Sequence, residues 1–319
     1  MTRSAGRRSV GRYSRCALLV GANALLLAHV PAAAEFNPPG REVRPAPLRV
    51  MLEVAPGNWG EADVADVQLV LESVAREFLS HVAAGHGGEL RLRVMPRGTA
   101  PRVLFERGGE GEYIVHLTAR NQRWYQYAYQ FSHELCHILS NFDHKDGGAA
   151  DHAKANQWFE ETLCETASLF TLRRLASSWE TSPPARKWVG YAPAFAAYAD
   201  QLLAAPHRQL PPGRTFDAWF RENRPLLEAD PYLRDSNELL AAVLLPLFER
   251  DPARWQAITY LNADTASAGK PLAGYLADWL RACPQQSRAV VRDTMAVLGL
   301  TEVATAGAAA STDPSFLLR

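Results

Sequence analysis

The apolar positions of this chain change their period along its length, and the changes mark out its elements. Leu48-Arg-Val-Met-Leu-Glu-Val54 reads as a first strand, and Pro56-Gly-Asn-Trp-Gly60 as a turn. From 62 to 82 the period becomes helical, with Val64, Val67, Val70, Val74 and Phe78 on one stripe. Gly85-His-Gly-Gly88 ends that helix. Three short strands follow at 89–94, 102–105 and Tyr113–Leu117, the last two separated by the turn Arg107-Gly-Gly-Glu-Gly111. A second helix begins near Gln122, and a polar loop at 141–155 separates it from a third at 157–176.

Beyond Ser182-Pro-Pro184 every patterned stretch is helical: 191–204, 216–221, 236–250, 252–261, 271–281 and 286–298. The expected class is therefore α+β, with a small mixed four-stranded sheet in the first half and an all-helical second half. We place a first subdomain at 35–180, a helical subdomain at 181–302 and a loose small-residue tail at 303–319.

Composition changes the picture at the N-terminus. A basic stretch without acids, an apolar run of about 15 residues and Ala32-Ala33-Ala34 form the three parts of a cleavable export signal over 1–34. No later stretch is long and apolar enough to span a membrane. The expectation is a secreted or periplasmic protein, free of the membrane after cleavage. The chain has 34 basic and 34 acidic residues. Removing Arg3, Arg7, Arg8, Arg12 and Arg15 leaves 29 basic against 34 acidic, about −5, which argues against nucleic acid as a partner.

The candidate chemistry sits in Tyr129-Gln-Phe-Ser-His133-Glu134-Leu-Cys-His137. On a helix, His133 and His137 lie about 40° apart around the axis and about 6 Å along it, so both can reach one zinc ion. Glu134, turned about 100° from His133, can stand beside the metal and take a proton from a zinc-bound water. Cys136 is turned off the shared face. Asp146 and Asp151 in the following loop lack the spacing of an EF-hand calcium site.

The order strand, helix, three strands, metal helix resembles the N-terminal half of zincin-type metallopeptidases. Trp158-Phe-Glu160-Glu161-Thr-Leu-Cys-Glu165 is similar to the second metal-site helix of the gluzincin clan. That resemblance implies Glu161 as third zinc ligand and Glu165, one turn on, as the acid that orients a histidine. Glu160 points about 100° away, to an outer position or to solvent. Twenty-three residues lie between His137 and Glu161, more than in the best-known members, and the loop can absorb the difference. His144 is the weaker rival for the third position. The resemblance also implies that Tyr113–Leu117 is a sheet edge receiving substrate backbone. An oxyanion donor is expected from the helical half, with Tyr232 first and Tyr260 and His207 as alternatives.

The function implied is zinc-dependent hydrolysis of a peptide or protein substrate. The alternatives are a secreted binding or assembly protein with a structural or silent zinc site, and hydrolysis of a non-peptide amide or ester. After signal removal Cys136, Cys164 and Cys283 remain. In an oxidising compartment Cys136 and Cys164, on facing helices, are candidates for a disulfide, with Cys283 left reduced; two buried free thiols are the other possibility.

Overall fold

Four strands build one mixed sheet in the order β1-β2-β4-β3. β1 (Arg49–Val54), β2 (Glu89–Pro96) and β4 (Tyr113–Leu117) run parallel, and β3 (Arg102–Arg107) runs antiparallel to β4. These elements come from a computed structural model that describes residues 48–82, 88–146 and 155–300. The expected export signal, the Gly147-Gly148 loop with Asp151, and the tail at 303–319 lie outside the described residues. Along β2, Leu90, Leu92 and Val94 are buried and alternate with Glu89, Arg91 and Arg93, so one face meets the core and the other is open. Helix α1 (Val64–Val82) packs beside β1, with Val67, Val70, Val74 and Phe78 in that core.

The edge of the sheet differs from the expectation. β4 lies inside the sheet, and the edge beside the helix that carries His133 and His137 is β3. The burial patterns give the reason. Tyr113, Val115 and Leu117 of β4 are all buried, whereas Arg102, Phe105, Glu106 and Arg107 of β3 are exposed, a composition an edge tolerates. Between the pairs Val103–Val115 and Arg107–Tyr113 the β3 chain bulges, because four residues of advance match two on β4.

Helix α2 (Trp124–Leu139) follows β4 and lies against α1 and the sheet. Its start is pinned by a close approach. Gly60 has φ +69°, and a Cβ there would stand 2.1 Å from Asn121 Oδ1. Asn121 Oδ1 accepts from Glu61 N at 2.9 Å, while Asn121 N donates to Trp59 O at 2.8 Å.

Helix α3 (Gln157–Thr181) packs on α2 and runs five residues past its expected end. It also carries α4 (Ala192–Leu203) and α6 (Arg234–Glu249). Helix α5 (Phe216–Ala229) continues through Pro225, its last turn held by the buried Leu227. The segment expected as a helix at 252–261 is a 3-10 helix, Pro252–Tyr260, which places Trp255 on Phe78 and Phe248. Helices α7 (Leu272–Ala282) and α8 (Arg288–Val297) follow. Among the described residues no helix is long and apolar enough to cross a membrane.

The far end of α2 is tied down by residues more than a hundred positions later. Asn141 Nδ2 donates to Thr259 O and Leu261 O, at 2.9 and 2.8 Å. Asn262 Nδ2 donates to Ser140 O at 2.9 Å.

Candidate metal centre

Phe131, Leu135 and Ile138 bury one face of α2, and His133 and His137 lie on the opposite face, where they meet α3. The two imidazole centroids are 5.0 Å apart. Glu161 of α3 reaches both: its Oε2 lies 3.2 Å from His133 Nε2 and 3.5 Å from His137 Nε2. One ligand atom from each of the three lies within 4.8 Å of the others. Gln157 Nε2, one turn earlier on α3, donates to Glu161 Oε1 at 2.9 Å and leaves Oε2 turned to the histidines. Burial alone would lower the His137 pKa, but Glu161 and Glu160 outweigh it and hold it well above the ordinary value. Burial alone would raise Glu161, but the two histidines hold it well below. The pocket thus favours positive charge between its three donors.

Each histidine also has an acid behind it. His137 Nδ1 lies 2.7 Å from Glu160 Oε1. A carboxylate only accepts, so the imidazole donates there and Nε2 keeps its lone pair for a metal. Glu160 is fully buried, which corrects the solvent-facing alternative for it. Its direction, about 100° from Glu161, is the one expected; α2 and the chain around Asn262 fill that side. Asn262 Nδ2 donates to Glu160 Oε2 at 2.9 Å, and Tyr275 OH donates to Asn262 Oδ1 at 2.7 Å. If the site holds a metal, replacing Glu160 by Gln should weaken its binding by about 10- to 100-fold. Chelator competition measures this, and an unchanged affinity would remove Glu160 from the site.

Glu165 faces the other histidine, with Oε2 3.8 Å from His133 Nδ1. Tyr129 OH donates to its Oε1 at 2.6 Å, and Arg208 Nη2 reaches the same oxygen at 2.7 Å. Arg208, on a short 3-10 turn, has a side chain wholly shut off from solvent. It also reaches Glu238 Oε2 at 3.0 Å. Arg234 Nε and His207 Nε2 complete the cluster on Glu238, at 2.5 and 2.6 Å.

These groups border a cleft of about 350 Å³ lined by His133, Glu134, Glu161, Glu165, Tyr232 and Arg234, among others. Glu134 is only 3% exposed. Burial raises its pKa, and the Glu161 charge adds to this against the opposing histidines and the Val103 N–H of β3. The wall includes Tyr232, whose hydroxyl pKa is raised by partial burial and by the Glu161 charge. His207 is engaged with Glu238, and Tyr260 is outside the cleft lining. His144 is exposed and does not join the metal-ligand group.

Comparison with family models, with curated proteins and with solved structures finds no match to this chain.

Cys136 and Cys164 meet between α2 and α3 as free, buried thiols, so the bridge suggested by the spacing is absent from this structure. Burial, then the neighbouring Cys136 thiol, push the Cys164 pKa well above the ordinary value. Both fill the helix contact as small apolar groups. Cys283 is also free, and burial pushes its thiol up to about 12. Trp158, matched to the gluzincin pattern, is a core residue packed on Phe159 and Phe220.

Sequence reasoning missed Asn262, Tyr275, Tyr129 and Arg208. For Glu160 a signal was present. Trp158, Phe159, Ala167, Leu172 and Leu175 put apolar residues on every side of α3, so an acid among them had to be buried and partnered.

Proposed function

We propose that this chain is an exported zinc-dependent hydrolase of the zincin type, a gluzincin-like metallopeptidase acting on peptide or protein substrates. The observation that carries the reading is the convergence of His133, His137 and Glu161, with Glu134 buried beside them in the same cleft but outside the ligand group. Two imidazoles and one carboxylate are the donor set of a hydrolytic zinc, with a fourth position left for water. Structural zinc sites more often close with four protein ligands, commonly cysteines.

Bound there, zinc would polarise a water and lower its pKa towards about 7. The residues of the chain supply the rest. His137 is oriented by its hydrogen bond to Glu160, and the Glu165 carboxylate stands 3.8 Å behind His133. Glu134 takes the proton of the attacking water, its basicity raised by burial. Tyr232 lines the cleft, and its hydroxyl would donate to the developing oxyanion. β3, paired on one side only among the described residues, offers its free edge to an extended peptide.

Metal analysis after dialysis tests the site. Wild type should retain one zinc per chain and His133→Ala should lose it; equal metal in both would refute the site. Digestion of a broad peptide library by the zinc-loaded protein tests the activity. Absence of any cleavage would remove the peptidase reading.

A further inference from the structure

The open face of the sheet carries a group of basic side chains that the candidate metal centre does not use. His116 of β4 has Arg102 of β3 directly opposite it and Met95 of β2 on its other side. Arg97 lies two residues beyond Met95, so strand alternation puts its side chain on the same face. Its backbone N–H extends the ladder, donating to Leu117 O at 2.7 Å. Three basic side chains from three neighbouring strands thus stand in an arc.

Nothing among the described residues offsets them. Arg91 and Arg93, earlier on the same face of β2, reach Glu89 and Glu53. Arg97, Arg102 and His116 reach no carboxylate among the described residues. Burial lowers the His116 pKa, Arg97 and Arg102 lower it further, and no acid acts the other way. Arg97 Nη1 and His116 Nδ1 are also cut off from solvent without a hydrogen-bond partner. Buried polar groups without a partner and guanidinium charges crowded together with no acid among them both destabilise a fold. An arrangement with both disadvantages calls for a ligand that removes them.

The position suits a binding role. Arg97 and Arg102 bracket a loop whose Ala100 and Pro101 form part of the cleft wall. We propose that Arg97, Arg102 and His116 form an anion site for a phosphate group at the rim of the cleft. A planar carboxylate is satisfied by one guanidinium fork. Donors arriving from three strands suit a tetrahedral anion, whose oxygens point several ways. The site uses no metal ligand, so it stands whether or not the chain is a peptidase.

The test follows Tm of the metal-loaded protein during titration with inorganic phosphate or acetate at constant ionic strength. Wild type should show a saturable rise with phosphate and a smaller one with acetate. Arg97→Gln and Arg102→Gln should each need at least about tenfold more phosphate for the same rise. Without phosphate, Arg102→Gln should melt at the wild-type temperature or slightly above it, because no ion pair is lost and one of the crowded guanidinium charges is gone. Co-sedimentation with vesicles containing phosphatidic acid, lost in Arg102→Gln, would assign the phosphate to a lipid headgroup. No vesicle binding would assign it to a soluble phosphate. A phosphate response that is absent, or unchanged in both variants, overturns the site. A lowered Tm of Arg102→Gln without phosphate would also overturn it, since Arg102 would then be structural. Acetate acting as strongly as phosphate would overturn the choice of anion.

Discussion

Glu134→Gln should lower kcat/KM by about 10²- to 10⁴-fold while leaving zinc content unchanged. The side chain keeps its shape and loses only its capacity to accept a proton. Glu134 is not part of the ligand group, so the metal has no reason to leave. Its carboxylate is buried and its pKa raised, mainly by desolvation and against the pull of the two histidines, which means that the fold holds this charge at a cost. A neutral amide relieves that cost, so Tm should stay level or rise. The combination of lost activity, retained zinc and undiminished Tm separates a general base from a structural residue. Activity unaffected by Glu134→Gln would sink the mechanism.

Arg208→Met should destabilise the protein by about 3–5 kcal/mol. At roughly 2–4 °C per kcal/mol for a chain of this size class, that is a fall in Tm of roughly 10 °C. Arg208 is the shared cation between Glu165 and Glu238, whose side chains are 6% and 7% exposed. Removing it leaves two nearly dry carboxylates facing one another across the space it held. Adding Glu165→Gln and Glu238→Gln to the Arg208 variant should restore most of the loss, because uncharged partners need no cation. Thermal melts of the single and triple variants check both statements; a single variant within 1 °C of wild type would reject them.

The same cluster sets a pH window. Burial alone would raise the Glu238 pKa, but Arg208, Arg234 and His207 outweigh it and hold it below 4.5. Its stabilising contribution is therefore complete above the unfolded-state value near 4.5 and fades as pH falls through the lower folded value.

The sequence allowed the alternation of strands and helices, and the pairing of His133 with His137, to be read directly. Both depend on local periodicity, which is a property of neighbouring residues. Glu161 needed more than periodicity, since only a resemblance singled it out from Glu160. Sheet order was not legible. Whether β3 or β4 takes the edge depends on which strand has polar residues on its outer side, and the three central residues of β3, Val103-Leu-Phe105, look as apolar as β4. Arg208 was not legible at all. Its turn has no periodicity, and its partners Glu165 and Glu238 lie 43 residues before and 30 after it. A buried ion cluster of that kind is assembled only by tertiary packing.

The hold that Asn141 and Asn262 exert on the end of α2 has a consequence in time. A ribosome delivers His133, His137, Glu160 and Glu161 well before it delivers Asn262 and Tyr275. Until those arrive, Glu160 lacks one of its donors, and the α2 terminus lacks the strap that fixes it. Contacts of such long sequence separation form late. The centre should therefore become competent only once nearly the whole chain has emerged. A nascent or C-terminally truncated chain that stops before Asn262 should carry the metal motif and remain inert.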